Sequence, residues 1–203
     1  MDATRTLVYL HGFRSSPKSV KAQLFVRAIE ALPRARRPRL HVPDLPFDPA
    51  VAVADVAAWI ERALTGREIA SELTLIGSSL GGFYATHLAE RFGARAVVIN
   101  PTIRPHDDLA PYAGVQTNLH IGEAFEVTDA YFQALLALRV ARITRPERYF
   151  LLVRSGDEVL PWRDAVGFYA GAWQFVLGGG DHGWTDFAGE IASVLRFARC
   201  ADG

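Results

Sequence analysis

Residues Leu73–Phe92 read LTLIGSSLGGFYATHLAERF. The opening LTLIGS is short, β-rich and apolar on both alternating faces, the pattern of a parallel strand covered by helices on each side. From Phe83 to Phe92 the stretch is helical, and Gly93 follows as its stop signal. Between strand and helix stands Gly77-Ser78-Ser79-Leu80-Gly81, a G-x-S-x-G turn. A turn this sharp forces residue 79 into strained dihedrals, and a Cβ at Gly77 or Gly81 would meet neighbouring backbone. It lifts the Ser79 hydroxyl off the sheet, and the helix N-terminus aims its free N–H groups at the same point. From the glycine and serine content, about 0.05 copies of the pattern are expected by chance, before the strand and helix around it are required.

Working outward, five further runs have strand character: Thr6–Leu10, Leu40–Leu45, Ala96–Asn100, Tyr149–Val153 and Trp173–Leu177. Between them lie segments of helical period, such as Val20, Leu24, Ala28, Ile29, Leu32 and Val53, Val56, Ile60, Leu64. Ser16 with Pro17 opens the first of these and Pro33 closes it, while Gly66 follows the second. Repeated strand-helix-strand units predict an α/β fold: a doubly wound sheet of about six parallel strands with helices on both faces. The 203 residues fit one domain, 1–203.

Such sheets bind ligands beyond the carboxyl ends of their strands. A serine hydroxyl needs a general base, and the base an orienting acid, in the chain order Ser, acid, His for this topology. After the fifth run comes Ser155-Gly156-Asp157-Glu158, and after the sixth Gly178-Gly179-Gly180-Asp181-His182-Gly183-Trp184. Asp157 is read as the acid and His182 as the base. Asp157 also fits an Asx-turn or the cap of a helix opening at Pro161. The N–H of Leu80 is the first expected oxyanion donor; the second comes from the loop His11-Gly12-Phe13-Arg14-Ser15-Ser16-Pro17 after the first strand. There Gly12 permits close backbone approach, Phe13 N–H is the expected donor and its ring a pocket wall, and Arg14 lies at the rim.

Composition narrows the partners. Lys+Arg and Asp+Glu are both 22, so net charge favours neither nucleic acid nor an anionic membrane. The densest basic stretch, Arg34 to Arg39, is interrupted by Pro33 and Pro38 and reads as a solvated loop. None of the six histidines shows metal-ligand spacing, so neither metal nor cofactor is expected. The single Cys200 allows no intrachain disulfide, and the Leu7–Leu10 run is too short for a signal peptide, so a soluble, cytoplasmic protein is expected. Oligomeric state is left open.

The chain resembles the α/β-hydrolase superfamily and is most similar to small bacterial YqiA-type esterases. The resemblance rests on YLHGFRSSP at Tyr9–Pro17, IGSSLGGFYA at Ile76–Ala85, NPTIRP at Asn100–Pro105, TRPERYFLLVRSGDEVL at Thr144–Leu160 and GGDHGW at Gly179–Trp184. One departure is Trp162 after Pro161, where a more polar pair is expected. The resemblance implies nucleophile, acid and base at Ser79, Asp157 and His182, oxyanion donors at Phe13 and Leu80, and cofactor-free hydrolysis of short acyl esters or thioesters such as acyl-CoA. Gly12, Arg14, Tyr131 and Trp184 are candidate substrate contacts. Two alternatives accompany this reading: a serine peptidase, and a non-catalytic binding module that keeps the fold.

The first strand runs directly into the His11-Gly12 loop, so the leading antiparallel strands of larger α/β-hydrolases are expected to be absent. Residues 102–143 form a small cap segment in this reading. Thr102–Gly122 reads as loop. Thr128–Leu138, with Tyr131, Leu135 and Leu138 at helical spacing, is either a lid or the connecting helix of a crossover.

Overall fold

The computed structural model describes residues 5–200. In chain order its elements are β1 (Thr6–Leu10), α1 (Val20–Ala31), β2 (Arg39–His41), α2 (Pro49–Ala63), α3 (Ile69–Glu72), β3 (Leu73–Ser78), α4 (Leu80–Phe92), β4 (Arg95–Ile99), α5 (Pro105–Asp108), β5 (Gly114–Thr117), β6 (Ala124–Val127), α6 (Asp129–Ala137), β7 (Tyr149–Arg154), α7 (Trp162–Phe168), β8 (Trp173–Leu177) and α8 (Ile191–Phe197). Six strands form one parallel sheet in the order β2-β1-β3-β4-β7-β8. All six predicted strands are in it, and among the described residues none runs antiparallel within it.

Period-two alternation sorts the side chains of each strand onto two faces. Val8 and Leu10 of β1, Leu75 of β3, Val98 of β4 and Leu151 and Val153 of β7 share one apolar cluster with α2 and α4. Leu7, Tyr9, Ile76, Val97, Phe150 and Leu152 join the other, with Phe25 of α1 and Val194 of α8. Continuous apolar runs are therefore what a sheet covered on both faces requires. Truncating a fully buried leucine such as Leu151 to alanine costs about 2–5 kcal/mol, transfer and cavity terms together.

The strand order changes direction at β1, which sits between β2 and β3. The loops leaving β1 and β3 therefore diverge and open a crevice at the carboxyl edge. Residues 11–17 and Ser79 flank it.

Three boundaries differ from the sequence reading. Strand β2 ends at His41 rather than Leu45, because Pro43 has no N–H to continue a ladder. Helix α1 starts at Val20 with Ser19 as its cap position; Ser16 instead accepts a hydrogen bond from Lys18 N–H, 3.1 Å, in the preceding turn. Within Thr102–Gly122, read as loop, the chain forms the single turn α5, a 3-10 turn at Ala110–Tyr112 and strand β5, which pairs antiparallel with β6. Helix α6 begins as expected, Thr128 Oγ1 accepting from Tyr131 N–H at 3.3 Å. It packs on α2 and α5 and buries Tyr131 and Leu135, so it is the connecting helix of the β4-to-β7 crossover. Among the described residues no helix is long and apolar enough to cross a membrane.

Candidate active site

Ser79 is the hinge between β3 and α4, with φ 56° and ψ −122°. A non-glycine residue there costs on the order of 1–3 kcal/mol, so it must be held. Its N–H donates to Ile99 O (3.0 Å), and its carbonyl accepts from Gly82 N–H (2.9 Å) and Thr102 N–H (3.3 Å). The glycines are required sterically: a Cβ on Gly77 would lie 2.1 Å from Gly81 O, and one on Gly81 2.1 Å from Leu10 O. A Cβ on Gly12 would come within 3.1 Å of Ser79 Cβ and 3.3 Å of Ser78 O, so the β1 loop passes directly over the serine.

Across the crevice, Ser79 Oγ is 3.1 Å from His182 Nε2, and His182 Nδ1 is 2.8 Å from Asp157 Oδ2. A carboxylate only accepts, so Nδ1 carries the hydrogen and Nε2 presents its lone pair to the serine hydroxyl. The other oxygen, Asp157 Oδ1, accepts from Val159 N–H (2.9 Å) and Leu160 N–H (2.8 Å). The Asx-turn and the histidine partnership therefore coexist, one on each oxygen. The Asp157 side chain is 1% exposed. Burial raises its pKa, but the hydrogen bond and charge of His182 and the two backbone donors outweigh that and hold it below the ordinary carboxylate value.

Leu80 opens α4, so its N–H has no carbonyl of a preceding turn to bond. Among the described residues no hydrogen bond takes the Phe13 N–H either. Leu80 follows Ser79 directly, and Phe13 follows Gly12, whose backbone passes over the serine. The Phe13 ring meets Tyr112, Phe125 and Tyr131 edge-on at centroid distances of 5.5, 5.6 and 6.4 Å.

Two cavities adjoin this point. A cleft of about 350 Å³ contains Ser79 and His182, with Gly12 and Arg14 in its wall. Behind Phe13 lies an inner pocket of about 30 Å³, reached by Leu80, Tyr84, Phe125 and Tyr131. Tyr131 thus faces the inner pocket and not the cleft over the serine. Trp184 was expected at the site and is not there. Its φ of 48° turns it inward, where it is 1% exposed, edge-on to Phe187 and beneath the Arg154 guanidinium.

Several residues that shape the site were not singled out from sequence. Asn100 follows β4 at φ 40° and is 2% exposed; its side-chain amide donates to the carbonyls of Asp181 (3.3 Å) and His182 (3.1 Å), and its oxygen accepts from Arg154 N–H (2.9 Å). It belongs to the NPTIRP motif, and a polar residue at a strand's carboxyl end was the available signal. Glu158 accepts from the His182 N–H at 3.0 Å. The β5–β6 hairpin brings Leu119 and His120 to the cleft; it is tied to the β1 loop through Arg14 Nε to Thr117 O (2.9 Å) and Asn118 Nδ2 to Ser15 O (2.8 Å).

Comparison with known proteins places the chain in a family. The architecture is similar to alpha/beta hydrolase domain-containing protein 10 from mouse, at TM-score 0.67 and 16% identity over 96% of this chain and 90% of that one. It is also similar to Est1E from Butyrivibrio proteoclasticus, at TM-score 0.68 and 11% identity over 97% and 87%. The esterase domain of a Rhodothermus marinus protein matches at TM-score 0.65 and 19% identity over 96% and 87%. At these identities the likeness is one of fold, the α/β-hydrolase fold. The model of the uncharacterised protein family UPF0227 matches residues 6–199, nearly the whole chain, and the protein belongs to that family.

Proposed function

We propose that the protein is a serine hydrolase that cleaves short acyl esters or acyl thioesters, such as acyl-CoA, through an acyl-enzyme on Ser79. One observation carries the reading: a serine held at a strained hinge, its Oγ 3.1 Å from a histidine whose far nitrogen is 2.8 Å from a buried aspartate. His182 Nε2 takes the Ser79 proton as Oγ adds to the substrate carbonyl. The developing oxyanion is received by the N–H groups of Phe13 and Leu80, which need no reorganisation to meet it. His182 then gives the proton to the leaving oxygen or sulfur, and repeats both transfers with water to release the acid. Asp157 keeps the imidazole in the required tautomer and stabilises its cation. The acyl chain lies toward the inner pocket behind Phe13, with Tyr131 at its wall. The solved structures named as esterases are consistent with ester chemistry on this fold, and the single Cys200 is consistent with a reducing, cytoplasmic setting.

A fluorophosphonate probe tests the reading against a non-catalytic binding module. Labelling mapped to Ser79, with turnover of 4-nitrophenyl butyrate or butyryl-CoA, supports it. A protein that labels nowhere and turns over neither substrate refutes it, and cleavage of peptides alone would assign a peptidase.

A further inference from the structure

The cleft above Ser79 is one-sided in charge. Arg14, Lys21, His120 and His182 line it, and no Asp or Glu side chain does among the described residues. Lys21 sits in the first turn of α1 and donates from Nζ to the carbonyl of Gly183, the residue after the base. That turn of α1 has no acidic residue and no side-chain cap, and Ser19 and Val20 also face the cleft. Its first N–H groups have no carbonyl of a preceding turn to bond. Burial pushes the Lys21 ammonium down to about 8, the carboxylates of Asp181 and Asp157 opposing it. Among the described residues no carboxylate forms an ion pair with Lys21; Asp181 and Asp157 act on it only at longer range.

Position relative to His182 says which part of a substrate would supply a counter-charge. The base must hand its proton to the leaving atom, so the leaving group occupies the His182 side of Ser79. Lys21 is beside Gly183 on that side, while the inner pocket for the acyl chain lies behind Phe13. From these placements, and resting on the serine-hydrolase reading above, we infer that the preferred substrates carry a compact anion, carboxylate or phosphate, on the alcohol part within a few bonds of the scissile ester. Lys21 is its principal contact, with Arg14 and the first turn of α1 completing the site.

Three butyrate esters with leaving groups of similar size test this: O-butyrylglycolate, O-butyrylglycolamide and 2-(butyryloxy)ethyl phosphate. Carboxylate and carboxamide differ in charge and hardly in shape. The expected result is a kcat/KM at least about tenfold higher for one or both anions than for the amide, the size of one charge-assisted contact. The anion with the larger ratio identifies the natural charge. Lys21→Met should bring the ratio to about one, and Lys21→Arg should restore most of it. If Lys21 only braced the histidine loop, all three esters would slow together and the ratio would stand, which overturns the inference. Equal kcat/KM for anions and amide in the unmodified protein, with 4-nitrophenyl butyrate turned over, overturns it without touching the hydrolase reading. Failure to hydrolyse any ester removes both.

Discussion

The side-chain amide of Asn100 holds the carbonyl of His182 at 3.1 Å, from the end of a different strand. The same amide reaches Asp181, and its oxygen fixes the N–H of Arg154, so one buried residue ties the end of β4 to the end of β7 and to the loop that carries the histidine. His182 is thus held at two backbone points, its carbonyl by Asn100 and its N–H by Glu158.

Asn100→Ala should lower kcat by roughly 10- to 100-fold with KM little changed, because a misplaced base costs transition-state geometry more than ground-state binding. Loss of buried partners should also reduce stability by about 1–3 kcal/mol. Asn100→Asp keeps the acceptor for Arg154 but sets a carboxylate against two carbonyls, so it should not rescue kcat. Equal kcat in all three proteins would remove Asn100 from the positioning of His182.

Asp157→Asn should preserve shape and disfavour the productive tautomer, costing on the order of 10⁴ in kcat. Glu158→Gln retains an acceptor for the His182 N–H and should stay within about tenfold. Steady-state kinetics of the two variants decides the assignment, and the reverse ranking would move the acid to Glu158.

Asp157 also links stability to pH. Its folded-state pKa is depressed, so it stabilises the fold above the ordinary carboxylate value, and that contribution disappears as pH falls through the lower folded value. The urea midpoint of the unmodified protein should therefore fall more steeply than that of Asp157→Asn between about pH 5 and pH 2. Parallel curves would mean that the carboxylate gains nothing from His182 and the two backbone donors.

The pocket behind Phe13 holds only about 30 Å³. Each buried methylene contributes about 0.8 kcal/mol, so kcat/KM should rise only over the first few acyl carbons and be flat by about four to six. Tyr131→Ala should open the wall and shift the plateau to longer chains. A continuous gain to long chains in the unmodified protein, measured with 4-nitrophenyl esters, would contradict so small a pocket.

What could be read from sequence follows from the strength of each local signal. The inner strands β1, β3 and β7 are buried on both faces and appear as apolar runs, and the turn at Ser79 demands glycines at fixed spacing, so the strands and the turn were legible, as were the strand ends from which Asp157 and His182 reach Ser79. The β5–β6 hairpin was not: its strands have four residues each, GVQT and AFEV, one short alternation apiece, and are joined by a six-residue loop without a decisive turn dipeptide. Trp184, two residues after His182, was read as a substrate contact; at positive φ its ring lies in the core beside Phe187, a turn that its sequence position does not signal. Lys21 gave no signal of its role, and Asn100 only that of a polar residue at a strand's carboxyl end, because their partners, the carbonyls of residues 181–183, lie more than 80 positions away.

The central claim is that Ser79, and not its neighbour, is the nucleophile. Ser78 ends β3 and is buried at 6% exposure, whereas Ser79 Oγ faces His182. The decisive measurement is kcat/KM for 4-nitrophenyl butyrate in Ser79→Ala and Ser78→Ala, with circular dichroism confirming that both fold. The account predicts a loss of roughly 10³ or more for Ser79→Ala and a far smaller one for Ser78→Ala. Equal activity in the two variants would contradict it.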